Sequence, residues 1–417
     1  MNQIHRSSWL LKTRHGGRRE LPVARWTALA FLFLALSAAL VRLARDPRQA
    51  LPPDLPIPAE EFARLSREFS EPEGFFRSDN FVSNETSYLH VVPLLKKHGI
   101  SGGVYLGVGP EQNFTYIAKV RPELAFILDI RRQAVLQHLV YKAIFQMADS
   151  RSEFLAILLS RPLDDMESSK AAVSLPEMMA YFAARPPDSD YFQQNLFRIV
   201  DFIQSDCHIP LSDTDLWGVH HVFSAFRDGG LEIRYRVGRG YSPGTATPSY
   251  WNDMFPSLRE ILTATDLDGR MDGFLASDAD FQFVKEMHRR NRIIPVVGDF
   301  AGSKALKAIA GYLDENNLQV SAFYVSNVEQ YLFQYNSFEL FVENVRALPW
   351  ADNGVFIRSV AGRRYQHPAN IPGHRLTSLL QRSRAFLLGC DNGEFRTYWE
   401  LVTSDYLAAK SSSSLQD

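Results

Sequence analysis

The chain has 417 residues, 46% hydrophobic and 22% charged, a balance that gives a globular protein with a real core and excludes disorder throughout. A formal net charge of −2, with no stripe of basic and aromatic residues, argues against nucleic acid as a partner. Cys207 and Cys390, the only cysteines, are too few for a disulfide framework and lack the pairing of a zinc site.

The first 60 residues differ in character from the rest. Lys12, Arg14, Arg18, Arg19 and Arg25 precede an uncharged run from Trp26 to Val41, which Arg42, Arg45 and Arg48 close. As a helix the run would rise about 24 Å, short of the ~30 Å hydrocarbon core, but Arg25 and Arg42 can snorkel. Residues 1–45 therefore read as a basic segment with a single-pass membrane anchor through 26–41. Export followed by cleavage at Ala35-Leu36-Ser37 or Ser37-Ala38-Ala39 is the alternative. The excess of Lys and Arg before the run favours a cytoplasmic N-terminus and an exported globular part. Residues 46–60, with Pro47, Pro52, Pro53, Pro56 and Pro58, read as an extended linker.

The globular part is expected over residues 61–405. A helix through Phe62–Phe69 comes first, then an irregular loop, then apolar residues at helical spacing from Leu89 to Lys97. Val104–Val108 ends in Gly107-Val108-Gly109, and Leu124–Asp129 ends in a carboxylate; both read as buried strands. Arg131–Leu159 reads as a helix pair with a break near Asp149. Helical patterns continue from Pro162 to about Arg227, with capping residues at Ser174 and Ser212, so a large helical insertion of about 131–290 follows the second strand. Leu231–Val237 alternates like a half-exposed strand, and 240–256 reads as an ordered surface loop. Strands then return at Ile293–Phe300, Val320–Asn327 and Gly354–Val360, separated by helices over Ser303–Leu313 and Phe338–Leu348. Leu376–Leu388 is expected as a helix, Glu394–Val402 as a strand, and 406–417 as a frayed tail.

The chemistry concentrates at strand ends. The glycines after the first strand permit a tight turn and close approach of backbone to a ligand, and Asp129, 22 residues after Gly107, can hold the two hydroxyls of a ribose. A third glycine is absent, because Pro110-Glu111-Gln112-Asn113 follows, which favours a mononucleoside over a dinucleotide. A glycine turn made for packing alone is the bland alternative. Gly107, Gly109, Glu111, Asp129, Asp299 and Asn327 form the candidate cofactor site. Asp299 could accept from an adenine amino group, and Asn327 with Glu329 would face the reacting end. For the acidic residues a helix N-cap is the competing role. Asn84, Glu85, Tyr88 and Tyr331 are candidates for the substrate pocket. No metal is expected: His220, His221, His288 and Asp266, Asp268, Asp272 lack ligand spacing. There is no Gly-x-Ser-x-Gly elbow and no Gly-Lys-Ser/Thr phosphate loop.

These strand ends resemble those of Rossmann-like methyltransferases over roughly residues 80 to 360. More closely, Tyr105-Leu106-Gly107-Val108-Gly109-Pro110-Glu111-Gln112-Asn113, Val296-Val297-Gly298-Asp299-Phe300 and Phe323–Leu332 look like the signatures of an uncharacterised bacterial family with such a core. The resemblance implies a doubly wound, mostly parallel α/β sheet with a helical insertion, and S-adenosylmethionine as cofactor. It departs from the methyltransferases at Pro110, which replaces the last glycine of the turn, and after Asn327, where no Pro-Pro-aromatic motif follows. Two functions follow as expectations. One is methyl transfer to a small or envelope-associated acceptor; the other is a non-catalytic, small-molecule-binding protein that keeps the fold. A cytosolic cofactor opposes the export that the N-terminal charges favour.

Overall fold

Strands buried on both faces require apolar runs, and the runs recognised in the sequence become the centre of one sheet. The computed structural model describes residues 55–164, 173–235, 255–361 and 366–408. Within them β1 (Val104–Val108), β2 (Leu124–Asp129), β3 (Ile293–Val297), β4 (Val320–Ser326) and β5 (Trp350–Ala361) pair in parallel in the order β3-β2-β1-β4-β5. Beyond β5, β6 (Leu376–Arg382) and β7 (Tyr406–Leu407) continue antiparallel, so the seven-stranded sheet is mixed. All six residues of β2 and all five of β3 are buried, so both faces are covered.

Helix α1 (Ala59–Glu68) runs beside β3, the outermost strand. Pro295 in the middle of β3 has no N–H to offer, a residue suited to an edge, and Ser66 Oγ donates to its carbonyl at 2.7 Å. Then α2 (Val92–Lys97) leads into β1, and α3 (Gln112–Val120) follows it. After β2 the break near Asp149 separates α4 (Arg132–Met147) from α5 (Arg151–Leu158), with Ser150 accepting the Glu153 N–H. α6 (Leu175–Ala183), α7 (Ser189–Asp201) and α8 (Asp213–Gly229) follow, and Ser174 and Ser212 each form a complete capping box. With α9 (Leu258–Leu262) and α10 (Asp278–Arg289), every described element between β2 and β3 is helical, apart from one isolated bridge. α11 (Ala305–Glu315) precedes β4, and α12 (Val328–Gln334) with α13 (Phe338–Arg346) precedes β5. α14 (Ser383–Asp391) and α15 (Tyr398–Thr403) follow β6.

Three expected elements are corrected. Leu231, Ile233 and Tyr235 are buried as the alternation implies, but among the described residues the segment turns as a 3-10 helix at 230–232 and makes one isolated bridge, from Arg234 to Ser257, while 236 and 237 lie outside them. Leu376–Arg382 is β6 and not the start of a helix. Its leucines fit a helical template, yet the segment lies against β5 with both faces buried, an ambiguity that short apolar runs carry. Glu394–Val402 holds α15 in place of a strand, started by a capping box between Thr397 and Glu400. The expected tail is corrected at its start, where Tyr406 and Leu407 pair with β6 as β7. The loop at 240–256 lies outside the described residues except 255 and 256, and the anchor at 26–41 and residues 409–417 lie outside them entirely. Among the described residues no helix is long and apolar enough to cross a membrane.

The end of the expected linker belongs to the fold. Ile57 is 1% exposed and its N–H donates to the Arg290 carbonyl, while the buried Arg292 guanidinium donates to the Leu55 carbonyl at 2.7 and 3.1 Å. Two truncated chains therefore differ: one starting at Ala59 should be less stable than one starting at Leu55 by ~3 kcal/mol, from lost Ile57 burial and the two hydrogen bonds that Arg292 gives the Leu55 carbonyl. Urea denaturation of the pair checks this, and equal midpoints would refute it.

Candidate functional site

The chain builds β1, β2 and β3 outward in one direction and then returns to place β4 on the other side of β1, so connections leave the carboxyl ends of β1 and β4 in opposite directions and open a crevice there. The turn after β1 lines it. At Gly107 a Cβ would overlap Asn113 Oδ1 and stand 2.7 Å from Tyr105 Cε1. Asn113 Nδ2 donates to the carbonyls of Val108, Gly109 and Pro110 at 2.8–3.0 Å, and the Tyr105 hydroxyl donates to Asn113 Oδ1 at 2.9 Å. Gly107 is thus a glycine because this amide pin fills the space beside it. Gly109 is different. Its φ of +80° lies in the left-handed region, and only Asn80 Nδ2, 3.7 Å from a Cβ placed there, stands near. His138 Nε2 lies 2.9 Å from the Gly109 carbonyl, and burial pushes its pKa down to about 4, so the neutral ring donates to that oxygen.

At the end of β2, Asp129 is 8% exposed and already engaged. Its Oδ1 accepts from Arg131 Nε at 2.9 Å and from the Arg131 N–H at 3.0 Å, and its Oδ2 accepts from Nη2 at 2.8 Å. The same guanidinium donates through Nη1 to the carbonyls of Ser78 and Asp79. Residues 70–83 form a strap across the strand ends: Glu71 N–H bonds the Val297 carbonyl, Gly74 N–H the Ile130 carbonyl, and Ser83 N–H the Glu111 carboxylate. Phe76 lies edge-on to Tyr331 at 5.4 Å, and Tyr235 hydrogen-bonds Ser78 from the helical insertion.

At the end of β4, Ser326 has φ +51°, a left-handed backbone in a residue other than glycine. Its hydroxyl donates to Glu85 Oε1 at 2.5 Å, as does the Tyr324 hydroxyl at 2.7 Å, while Gln112 Nε2 donates to Glu85 Oε2 at 2.8 Å. Burial raises the Glu85 pKa above the usual carboxylate range against these donors. Asn327 and Tyr331 stand half-buried beside Ser326.

The strand-end set is thus gathered in part. Gly109, Asp129, Asn327 and Tyr331 lie around the crevice, and Glu85 anchors its wall. Asn84 is half-buried next to Glu85. Glu329 cannot face a reacting group: it is wholly buried, with both oxygens on Arg358 at 2.5 and 2.9 Å. Tyr88 is core, its hydroxyl donating to the Ile261 carbonyl. Asp299 is exposed and accepts from the Ala301 N–H, the local turn that competes with ligand binding at such positions; Glu71, not Asp299, bonds the N–H groups of Lys304 and Ala305. Glu111 is buried with Oε2 unpartnered, beside a void of about 10 Å³ among Tyr141, Phe154 and Phe274. Arg131, Asn80, Asn113 and Tyr235 were not expected at the site; the pair Asp129-Ile130-Arg131, opposite charges two residues apart at a strand end, was the one available signal. Among the described residues no group of three or more His, Cys, Asp or Glu is placed to hold a metal. A wide depression of about 1160 Å³ opens at the opposite end of β1, near Lys96, Ser101 and Lys119, but Lys119 there is paired with Asp272 and Asp280, and ligands of such sheets sit at carboxyl ends.

Burial, the larger cause, and then the nearby Glu85 raise the Glu111 pKa from 4.5 to about 7. A folded-state pKa above the unfolded one favours folding fully below pH 4.5 and loses that contribution as pH rises through 7. Glu111→Gln, which mimics the protonated acid, should therefore gain up to ~3 kcal/mol over the parent at pH 8 and nothing at pH 4.5. Urea melts at both pH values test this, and a pH-independent difference would contradict it.

No curated protein matches the sequence. Residues 80–171 and 246–392, more than half of the chain and inclusive of β1 through β6 and the crevice residues from Asn80 to Arg131 and from Asp299 to Tyr331, match the model of a family described as a domain of unknown function (DUF7790), and the chain belongs to that family.

Proposed function

We propose that the crevice between the carboxyl ends of β1 and β4 binds a nucleoside-type small molecule, with S-adenosylmethionine the first candidate, on a core like that of the Rossmann-like methyltransferases. The observation that carries this reading is the meeting, at adjacent strand ends, of the positive-φ glycine turn at Gly109 and the left-handed Ser326 held by Glu85. A left-handed residue other than glycine persists where its surroundings enforce it, and such residues cluster at ligand sites. A binding role without catalysis suits the crevice best, because Asp129 and Glu329 are both committed to arginines. As it stands, Asp129 does not fit the grip on a ribose. Methyl transfer to a small or envelope-associated acceptor is the second reading, favoured by Asn327 and Tyr331, whose partial exposure leaves them open to an approaching acceptor.

Calorimetric titration of the full chain with S-adenosylmethionine and its demethylated product should show saturable binding. Asn327→Ala should weaken it by about 1 to 2 kcal/mol through a lost hydrogen bond. No heat at millimolar ligand would overturn the reading.

Residues 26–41 we assign as a single-pass anchor that tethers this domain to a membrane. The full chain should stay with membranes through alkaline extraction and lose that retention when 26–41 are deleted; release of the intact chain would refute the anchor. Reporter fusions after Asp417 should place the domain on the cytoplasmic side if S-adenosylmethionine is the ligand, and a reporter active only outside would oppose that cofactor.

A further inference from the structure

The carboxylate that the end of β2 offers to a ligand is closed off by the protein's own side chain, and the same side chain ties down the strap above it. Arg131 spends Nε and Nη2 on Asp129 and Nη1 on the carbonyls of Ser78 and Asp79. Asp129 and Arg131 are each 8% exposed. The strap has other ties: Gly74 bonds Ile130, Gln133 Nε2 donates to the Asp79 carbonyl, Tyr235 bonds Ser78, and Phe76 packs between the Arg131 guanidinium and Tyr331. Asn80, also left-handed at φ +50°, ends this stretch with Nδ2 3.7 Å from where a Cβ on Gly109 would stand. The residue that fills Asp129 therefore also holds the stretch that ends beside Gly109.

We infer that Arg131 is an autoinhibitory latch: it holds residues 74–80 over the crevice and occupies Asp129, so that a ligand with a vicinal diol enters only when the guanidinium swings off the carboxylate and frees the strap. The inference rests on the proposed ligand at this crevice for its second half and on the hydrogen bonds alone for its first. A guanidinium shared between a carboxylate and two carbonyls couples them, because its planar fork cannot swing off the carboxylate without leaving the carbonyls as well. Ligand binding and strap opening are then linked, each favouring the other by the same factor.

Hydrogen exchange followed by mass spectrometry on the full chain tests the latch. Arg131→Gln and Asp129→Asn should each speed exchange of peptides covering 74–80 at least tenfold while peptides of β1 and β2 exchange as in the parent, and Arg131→Lys, which keeps the charge without the fork, should fall between. Unchanged strap exchange in both variants overturns the latch. If Arg131→Gln also loosens β1 and β2, Asp129→Asn and Arg131→Lys decide. S-adenosylmethionine titrated into the same proteins should bind Arg131→Gln at least tenfold more tightly than the parent and should speed strap exchange in the parent. Equal or weaker binding by Arg131→Gln overturns the autoinhibitory role. A strap that loosens while neither protein binds S-adenosylmethionine keeps the strap contact, removes its inhibitory role toward that ligand, and refutes the ligand reading separately.

Discussion

A parallel strand can leave neither face to water when helices must cross over to reach its neighbour, and that constraint organises this molecule. The residues of β2 and β3 are buried throughout, so each connection between parallel strands becomes a helix or a set of helices packed on the sheet, and all five carboxyl ends arrive at one edge. The constraint relaxes at the margins. Beyond β5 the chain turns back as β6, an antiparallel partner that needs no crossover helix. At the opposite margin β3 ends the sheet with a proline in its middle and α1 alongside, which blunts an otherwise open row of backbone groups. The single place where the connections part is between β1 and β4, and the crevice is there.

Around that edge charge is handled internally. Glu329 and Arg358 are both 0% exposed, with the guanidinium also over the rings of Phe356 and Phe386. Removing one partner from such a pair strands the other charge at a cost of roughly 3–5 kcal/mol, so the carboxylate is not available as an acid or base. Asp129 is likewise held by Arg131, but at the end of β2 beneath the strap. The two carboxylates look equivalent in the sequence, and their surroundings divide them into one wholly buried member of the core and one at a strand end.

Glu85 and Glu111 show the same division without any arginine. Glu85 meets three side-chain donors, from Tyr324, Ser326 and Gln112, and through Ser326 it fixes the left-handed end of β4. Glu111, two residues beyond Gly109, has only the Ser83 N–H on one oxygen and apolar walls around the other. A buried carboxyl so poorly satisfied holds its proton toward neutrality, which makes the stability of the turn after β1 respond to pH.

Most strands of the α/β core, the break before Ser150 and the capping boxes at Ser174 and Ser212 were legible in the sequence because each rests on local pattern: apolar period, a capping hydroxyl, a carboxylate three residues on. Leu376–Arg382 differs from its pattern because a strand exists where a neighbour offers its backbone, here β5, and at Leu231 and Glu232 a 3-10 turn takes the place of the alternating strand. At the candidate site the sequence by itself determined which residues stand at the strand ends, since a strand's end and its turn are local. Which of them are open was decided only by tertiary structure: Asn113 folding back beside Gly107, Arg131 reaching Asp129 under the strap, and Arg358 meeting Glu329 from 29 residues away. The physical reason is that a carboxylate's chemistry depends on what else fills its few hydrogen-bonding positions, and whether a side chain turns back to fill them, from two residues away or from 29, is set by the packing around it.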